Sequence, residues 1–196
     1  VLSPAPLVGN EDNITGISML VSPEKQLTVL RKNLPELKTI GAVYNPAKMG
    51  SFLEKARYTA QKMGIRLIAA KAEQAKDVPR ALESLPHNLD VYWMLPDSTV
   101  TTPEAVEATI LYSIRTKTPI FTFSDKYLGL GAFMSLELNT FELGKQAGEM
   151  ARKIRAGTAV ENIPRTFAEQ ATPIINHAVA AKFGIPLNGT ASSNAP

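Results

Sequence analysis

Three short polar clusters follow three apolar segments of the sequence, and they are the residues best placed to do chemistry. They are Tyr44-Asn45, Asp97-Ser98-Thr99 and Ser124-Asp125. Together they offer amide, carboxylate and hydroxyl groups, which hold small polar ligands through hydrogen bonds. None of the clusters pairs a nucleophile with a base in the way that covalent catalysis needs. The residue types therefore favour a binding rim over a catalytic centre.

Each cluster also has a purely structural interpretation. Asn45 can begin a turn, Asp97 can form an Asx turn, and Ser124-Asp125 can cap a helix. We favour the binding interpretation because the three clusters occupy the same place after three successive predicted strands. The sequence alone leaves the structural alternative open.

The remaining residues of chemical interest have structural explanations. His87 and His177 are far apart and have no carboxylate at metal-ligand spacing, so we expect solvated loop histidines. Trp93 lies among apolar residues, which favours core packing over ligand stacking. The segment Gly129-Leu130-Gly131 is too short to indicate a phosphate-binding loop, and its two glycines predict a turn. We expect no metal and no cofactor.

The elements that must position the clusters are apolar strands alternating with amphipathic helices. Strands are predicted at Thr39–Asn45, Ile65–Ala70, Val91–Leu95 and Pro119–Phe123. Helices are predicted at Ser51–Met63, at Asp77–Leu85 with Asp77 as its cap, and from a capping box at Thr101 and Glu104 to about Thr116. Short connections of this kind indicate an α/β fold, a Rossmann-like parallel sheet with helices on both faces. Ligands of such sheets bind beyond the carboxyl ends of the strands, where all three clusters would lie.

The rest of the chain predicts further short elements. They are helices at Glu24–Leu34, Asn139–Arg155 and Ala178–Phe183, and strands at Ala132–Leu136, Ile163–Phe167 and Pro173–Ile175. The Asn139–Arg155 helix is the longest of them. It carries an apolar stripe formed by Phe141, Leu143, Ala147, Met150 and Ile154.

Composition excludes several classes of protein. The 196 residues are 44% hydrophobic and 20% charged, which is enough to bury a globular core. Lys plus Arg number 21 and Asp plus Glu 18, and this net charge of +3 is dispersed, so no nucleic-acid partner is indicated. The absence of cysteine excludes disulfides and thiolate chemistry, and it fits the cytoplasm or a bacterial envelope compartment. No apolar run reaches the roughly 18 residues of a membrane span. The N-terminal residues do not resemble a signal peptide, so either none exists or it lies outside this chain.

An ordered series of segments resembles one family, the substrate-binding proteins of ABC transporters, whose better-known members bind aromatic amino acids. The segments are Asn13–Ser18, Pro23–Leu27, Ile40–Pro46, Leu95–Val100, Phe123–Asp125 and Glu142–Glu149. The resemblance extends from about Asn10 to Leu187. It is the order of the segments, rather than any one of them, that is specific.

This resemblance implies a type I periplasmic-binding-protein fold, in which two Rossmann-like lobes joined by three crossing strands close on a ligand. Family members carry a further N-terminal portion that builds most of the first lobe, so this chain is either a fragment or a reduced member. The second lobe is then nearly complete and the first partial. The resemblance implies a division of the chain into five parts. Residues 1–19 form a remnant of lobe one and the hinge, 20–128 form the second lobe, and 129–160 form a crossover and the lobe-one helix. Residues 161–187 return to the second lobe, and 188–196 form a disordered tail.

The function that the resemblance implies is that of the solute-binding component of an ABC importer, in the periplasm or another extracytoplasmic space. Its partners would be a small-molecule solute, such as an amino acid, and an ABC permease. A homodimer through the lobe-one helix, or repacking of that helix on the second lobe, would cover its apolar stripe. The alternative is a ligand-sensing regulatory domain of the same fold. An α/β enzyme is disfavoured because no catalytic constellation is present.

The resemblance also suggests roles for the rim residues. The family motif at Asp97-Ser98-Thr99 usually reads Asp-Asn-Thr, so Ser98 shortens one donor. Asp97 would bind the ammonium group of an amino acid, and Ser98 and Thr99 would donate hydrogen bonds. We expect Asp97→Asn to weaken binding of an amino acid by about tenfold or more and to leave the fold intact. The other residues expected to face the same cleft are Tyr44, Asn45, Ser124 and Asp125.

Overall fold

Alternating apolar and amphipathic segments form strands and helices throughout residues 2–3 and 13–186, the part of the chain that the computed structural model describes. The strands are β1 Leu2–Ser3, β2 Ile17–Val21, β3 Thr39–Tyr44, β4 Arg66–Lys71, β5 Val91–Trp93, β6 Ile120–Thr122, β7 Met134–Leu138, β8 Thr166–Ala168 and β9 Ala171–Ile175. The α-helices are α1 Pro23–Asn33, α2 Pro46–Lys62, α3 Val78–Glu83, α4 Pro103–Thr116, α5 Thr140–Arg155 and α6 His177–Lys182. The predicted tail 188–196 lies outside the described residues.

Six strands form one large sheet in the order β4-β3-β5-β6-β7-β9. All neighbours in it are parallel except β7 and β9, which are antiparallel. The four strands predicted to be parallel neighbours are β4, β3, β5 and β6, and this prediction is confirmed. The strands β5 and β6 are shorter than predicted because their last apolar residues already belong to the turns at the sheet edge.

Helices cover both faces of the large sheet, as the continuously apolar strands require. Side chains alternate between the faces along β3. Ile40 and Ala42 pack in one core with residues of α1 and α2, whereas Val43 packs in a second core with residues of α3 and α4. Trp93 is buried in the first core against Phe52, so the prediction of core packing is confirmed.

The strands β1, β2 and β8 form a small parallel sheet. Helix α5 covers it, because Leu143 is buried against Ile17 and Ala168. The chain passes between the small sheet and the elements of the large sheet three times, after β2, after β7 and between β8 and β9. The second and third passages are joined by a hydrogen bond of 3.1 Å from the Asn139 amide to the Gln170 carbonyl.

Caps move several helix boundaries from their predicted places. The Asn45 side chain accepts a hydrogen bond from the Ala47 amide, so α2 begins at Pro46, five residues before the predicted start. Helix α4 is capped by Thr102 and not by Thr101, because it is the Thr102 hydroxyl that accepts from the Ala105 amide. A further difference is at Asp77, which ends a 3-10 turn and accepts from the Gln74 amide instead of capping α3.

The apolar stripe of α5 is covered in part within the chain. Leu143 is buried, and Ala147 and Met150 pack beside it against the small sheet. Phe141 and Ile154, at the two ends of the stripe, remain 73% and 40% exposed. A second copy of the chain is therefore not needed to cover the middle of the stripe, and the expected homodimer through this helix gains no support.

Close packing on β3 generates a stability prediction. A methyl group added at Gly41 would overlap Cδ1 of the buried Leu89, whereas one added at Gly50, inside α2, would meet nothing within 4 Å. We expect Gly41→Ala to lower the free energy of unfolding by about 1–3 kcal/mol through overpacking. The matched control Gly50→Ala removes a helix-interior glycine and should raise it by about 0.5–1 kcal/mol. Urea denaturation measures the change in the free energy of unfolding for each variant. Changes of the same sign in both variants would contradict this packing.

Candidate functional site

The three predicted polar clusters lie at the carboxyl edge of the large sheet. Tyr44 ends β3 and Asn45 follows it, Asp97-Ser98-Thr99 come after β5, and Ser124-Asp125 come after β6. Because β3, β5 and β6 are successive parallel neighbours, their carboxyl ends share one edge. We refer to these residues together as the rim.

The carboxylate of Asp97 joins two strands of the rim. Its side chain is fully buried. Oδ2 accepts a hydrogen bond of 2.6 Å from the Asn45 amide, and Oδ1 accepts one of 2.8 Å from the Thr99 amide. The carboxylate therefore faces backbone donors and fixes the turn after β5 to the end of β3. Asp97 therefore holds two backbone segments in position, and we expect its substitution to affect the stability of the fold.

Asn45 and Thr99 complete a buried network around Asp97. The Asn45 amide nitrogen Nδ2 donates to the Glu73 carbonyl at 2.8 Å and to Thr99 Oγ1 at 3.1 Å. Both side chains are more than nine-tenths buried. Tyr44 is also buried, and its ring belongs to the core shared with α1 and α2. These residues support the rim from below.

Lys48 lies in the first turn of α2 and adds a positive charge to the rim. Its Nζ donates to Ser98 Oγ at 2.6 Å and to Thr99 Oγ1 at 2.9 Å. It also lies 3.9 Å from Oδ1 of Asp97, while its own side chain is 46% exposed. The exposed Ser98 hydroxyl and the Lys48 ammonium are thus the polar groups of this half of the rim that solvent reaches.

The other half of the rim is acidic. Asp125 is exposed at the start of a 3-10 turn, and the Ser124 hydroxyl donates to its Oδ1 at 3.5 Å. Glu137, on the neighbouring strand β7, has a raised pKa because burial disfavours its charge and because the charge of Asp125 adds to that effect. The backbone amide of Asp125 and the nearby Ser135 hydroxyl lower the pKa of Glu137 by less than these two effects raise it.

An apolar cavity of about 230 Å³ lies between β2 of the small sheet and the carboxyl edge of the large sheet. It is lined by Met19, Leu20, Val21, Gln26, Pro96, Phe123, Leu136 and Leu138. Gln26 is held in place, because its Nε2 donates to the Val21 carbonyl at 2.8 Å and its Oε1 accepts from Trp93 Nε1 at 3.0 Å. A larger groove of about 580 Å³ runs along α4 and is lined also by Lys126 and Tyr127, which follow Asp125.

The described residues offer neither a metal-binding cluster nor a membrane-spanning helix. Residues 13–186 hold no group of three or more His, Asp and Glu side chains that could bind a metal ion. Both His87 and His177 are exposed, as expected of solvated histidines. None of the described helices combines the length and the apolar character needed to cross a bilayer.

Sequence reasoning missed Lys48, Glu137 and the cavity. Lys48 could have been found, because Asn45-Pro46 is a strong helix start and places Lys48 in the first turn. Glu137 stands in the alternating segment Met134–Leu138, which indicates a half-exposed strand and no more. The cavity joins residues from five separate elements or turns, and no local pattern in the sequence brings these together.

The two sheets, their three connections and the rim at the carboxyl edge define the class of periplasmic binding proteins. A family model for ABC transporter substrate binding proteins matches residues 8–195. The chain belongs to this family. A "Tyrosine-binding protein" of Clostridioides difficile (strain R20291) is 25% identical over 166 residues, which are 84% of this chain and 48% of that protein. The chain spans about half the length of the curated relatives it matches.

Solved structures agree with the family. A conserved domain protein from Vibrio cholerae is similar with a TM-score of 0.70 and 31% identity, over 90% of this chain and 60% of that one. An ABC domain from Streptococcus pneumonia in complex with L-Trp has a TM-score of 0.67 and 20% identity, over 89% of this chain and 61% of that one. The second likeness shows the fold alone. The family match favours a substrate-binding protein over the regulatory alternative.

Because Asp97 accepts hydrogen bonds from two backbone amides, we expect its substitution to destabilise the fold, and this replaces the earlier expectation of an intact fold. An asparagine at this position offers one oxygen and an amide that cannot accept, so one backbone donor loses its partner. We expect Asp97→Asn to lower the free energy of unfolding by about 1.5–3 kcal/mol, the usual contribution of a hydrogen bond to a charged group. Asp125→Asn, at an exposed carboxylate on the same edge, should change it by less than about 0.5 kcal/mol. Chemical denaturation without ligand measures the free energy of unfolding of each variant. Equal values for Asp97→Asn and wild type would contradict the positioning role.

Proposed function

We propose that this chain is the solute-binding component of an ABC importer, or a part of it, and that its solute is an amino acid with an apolar side chain. Membership of the substrate-binding family supports the transport role. A relative that is named for tyrosine binding supports the amino-acid class. The protein binds its solute and performs no reaction on it.

The apolar cavity at the carboxyl edge is the observation that carries this proposal. It takes the side chain of the solute among residues such as Phe123, Leu136 and Leu138. The rim beside it supplies polar groups for the other end of the solute, with Ser98 and Lys48 on one side and Ser124 and Asp125 on the other. Ligand sites commonly combine an apolar cavity with a few such polar groups.

We assign the large sheet and its helices to the second of two lobes, and the small sheet with α5 to the first. The predicted boundaries 20–128 and 161–187 for the second lobe are part of this proposal, with the difference that β8, inside the later segment, pairs with β2 of the small sheet. The remainder of the first lobe corresponds to the length of the relatives that this chain does not span. Closure of the two lobes about the three connections encloses the solute.

The proposed partner is an ABC permease, and the proposed location is the periplasm or another extracytoplasmic space. Both follow from the transport role. A permease receives the solute from the closed binding protein, so it contacts both lobes at the mouth of the cleft. Neither the charge distribution nor the family gives a reason to propose a nucleic-acid partner.

Calorimetry of the full-length protein tests this function. The probes are L-tyrosine, L-tryptophan and, as a control of a different class, D-glucose. We expect saturable binding of at least one amino acid and no heat from glucose. Binding of the sugar alone, or of none of the three, would contradict the proposed solute class. Mass spectrometry of the solute carried by the freshly purified protein provides an independent check.

The exposed rim hydroxyl generates a sharper prediction. Ser98→Ala removes a hydroxyl that Lys48 contacts and that the solute reaches. A lost neutral hydrogen bond of about 0.5–1.5 kcal/mol corresponds to amino-acid binding weaker by a factor of about 2–13. Ser51→Ala, an exposed serine of α2, is the matched control and should leave the affinity unchanged. Equal amino-acid affinities for Ser98→Ala, Ser51→Ala and wild type would contradict the contact between Ser98 and the solute.

A further inference from the structure

Helix α4 presents large apolar side chains to solvent. Its inner side is buried in the second core through Ala105, Val106 and Tyr112. On the outer side Leu111 is 60% exposed, and Ile114 beside it is 54% exposed. Grooves of about 580 Å³ and 450 Å³ flank Leu111, which lines both of them. Exposed apolar side chains that lie together commonly mark an interaction surface.

The outer side of α4 also carries charges of opposite sign at its two ends. Glu107 lies four residues before Leu111 and Arg115 four residues after it, so all three share one face of the helix. Both charged side chains are exposed. Within the described part of the chain Glu107 forms no ion pair, and Arg115 forms an exposed one with Glu83. Because a guanidinium group has five N–H donors, Arg115 can serve a second carboxylate as well.

This order of residues matches itself when the helix is turned end for end about Leu111. In an antiparallel pair of α4 helices with a two-fold axis at Leu111, positions equally far before and after it face each other. The positions three before and four after the centre lie on one side of it, and those four before and three after lie on the other. The two-fold rotation brings opposite sides together, so these pairs stay aligned.

The facing positions are complementary in charge and in size. Glu107 of one copy faces Arg115 of the second copy, and the reverse contact repeats this pair across the axis. Ala108 faces Ile114 of the second copy, so a small side chain receives a large one. A partner of another sequence would have to supply this pattern, whereas a second copy of the chain already carries it.

We propose that this face of α4 is an interface between two copies of this chain, with the two Leu111 side chains meeting on the two-fold axis. The interface is separate from the apolar stripe of α5. It uses none of the rim residues, so the proposal does not depend on which solute is bound.

A single cysteine placed on the axis tests the geometry, because the 196 residues contain no other cysteine. Helix axes that pack about 8–10 Å apart bring facing Cα atoms into the range that a disulfide needs, about 4.4–6.8 Å. We expect the full-length Leu111→Cys variant to form a covalent dimer on mild oxidation. Tyr58→Cys, at a residue of α2 that is 61% exposed, is the matched control and should stay uncrosslinked.

Charge reversal tests the pairing itself, with analytical ultracentrifugation of the full-length protein as the measurement. Glu107→Lys and Arg115→Glu each place like charges opposite each other in a dimer of their own kind. Each should therefore weaken self-association by at least about fivefold. In an equimolar mixture of the two variants every contact again joins opposite charges, so we expect a heterodimer of near wild-type affinity. Glu54→Lys, at an exposed position of α2, should associate like wild type.

The mixture makes the test independent of folding defects, since restored association requires both variants to be folded. Wild type that stays monomeric from micromolar to millimolar concentration would overturn the proposal. A dimer that both reversals leave unchanged, or a mixture that does not associate more tightly than its components, would also overturn it, because the contact would then lie on another surface. Crosslinking of Leu111→Cys no faster than that of Tyr58→Cys would contradict the position of the axis.

Discussion

The Asp97 carboxylate is the constraint on which the rest of the rim depends. It accepts hydrogen bonds from the backbone amides of Asn45 and Thr99, and so it connects the ends of two parallel strands that lie side by side. Asn45, held in this way, caps α2 and sets where that helix begins. The start of α2 in turn places Lys48 over the two hydroxyls that follow Asp97. A single buried charge therefore sets the positions of a helix, a turn and a surface cation.

The charges of the rim divide it into two halves. Around Asp97 the charges of Lys48 and the carboxylate offset each other, and backbone donors occupy both carboxylate oxygens. Around Glu137 no cation forms an ion pair within residues 13–186, and burial together with the charge of Asp125 raises the pKa of Glu137.

The sequence predicts the fold better than the site for a physical reason. Strands such as β3 are continuously apolar and are separated by amphipathic helices, and this pattern is local, so it can be read without tertiary information. The same holds for the position of Asp97 at the sheet edge. Its role is local only in part: the Thr99 amide belongs to the same turn, as an Asx turn predicts, whereas the Asn45 amide comes from the end of another strand. Glu137 was missed for the same reason, since the burial that raises its pKa depends on the residues packed around it.

The Gln26 side chain relates the cavity to the joint between the sheets. Its amide donates to the carbonyl of Val21, where the chain leaves the small sheet, and accepts from Trp93 in the core of the large sheet. The cavity lies against this same side chain and is lined by residues of both sheets. A solute side chain in the cavity would thus gain apolar contacts on both sides, and those contacts grow as the sheets approach each other. Under the proposed function, solute binding and closure then draw on the same burial of apolar surface, and a solute without an apolar side chain would lack that contribution to closure.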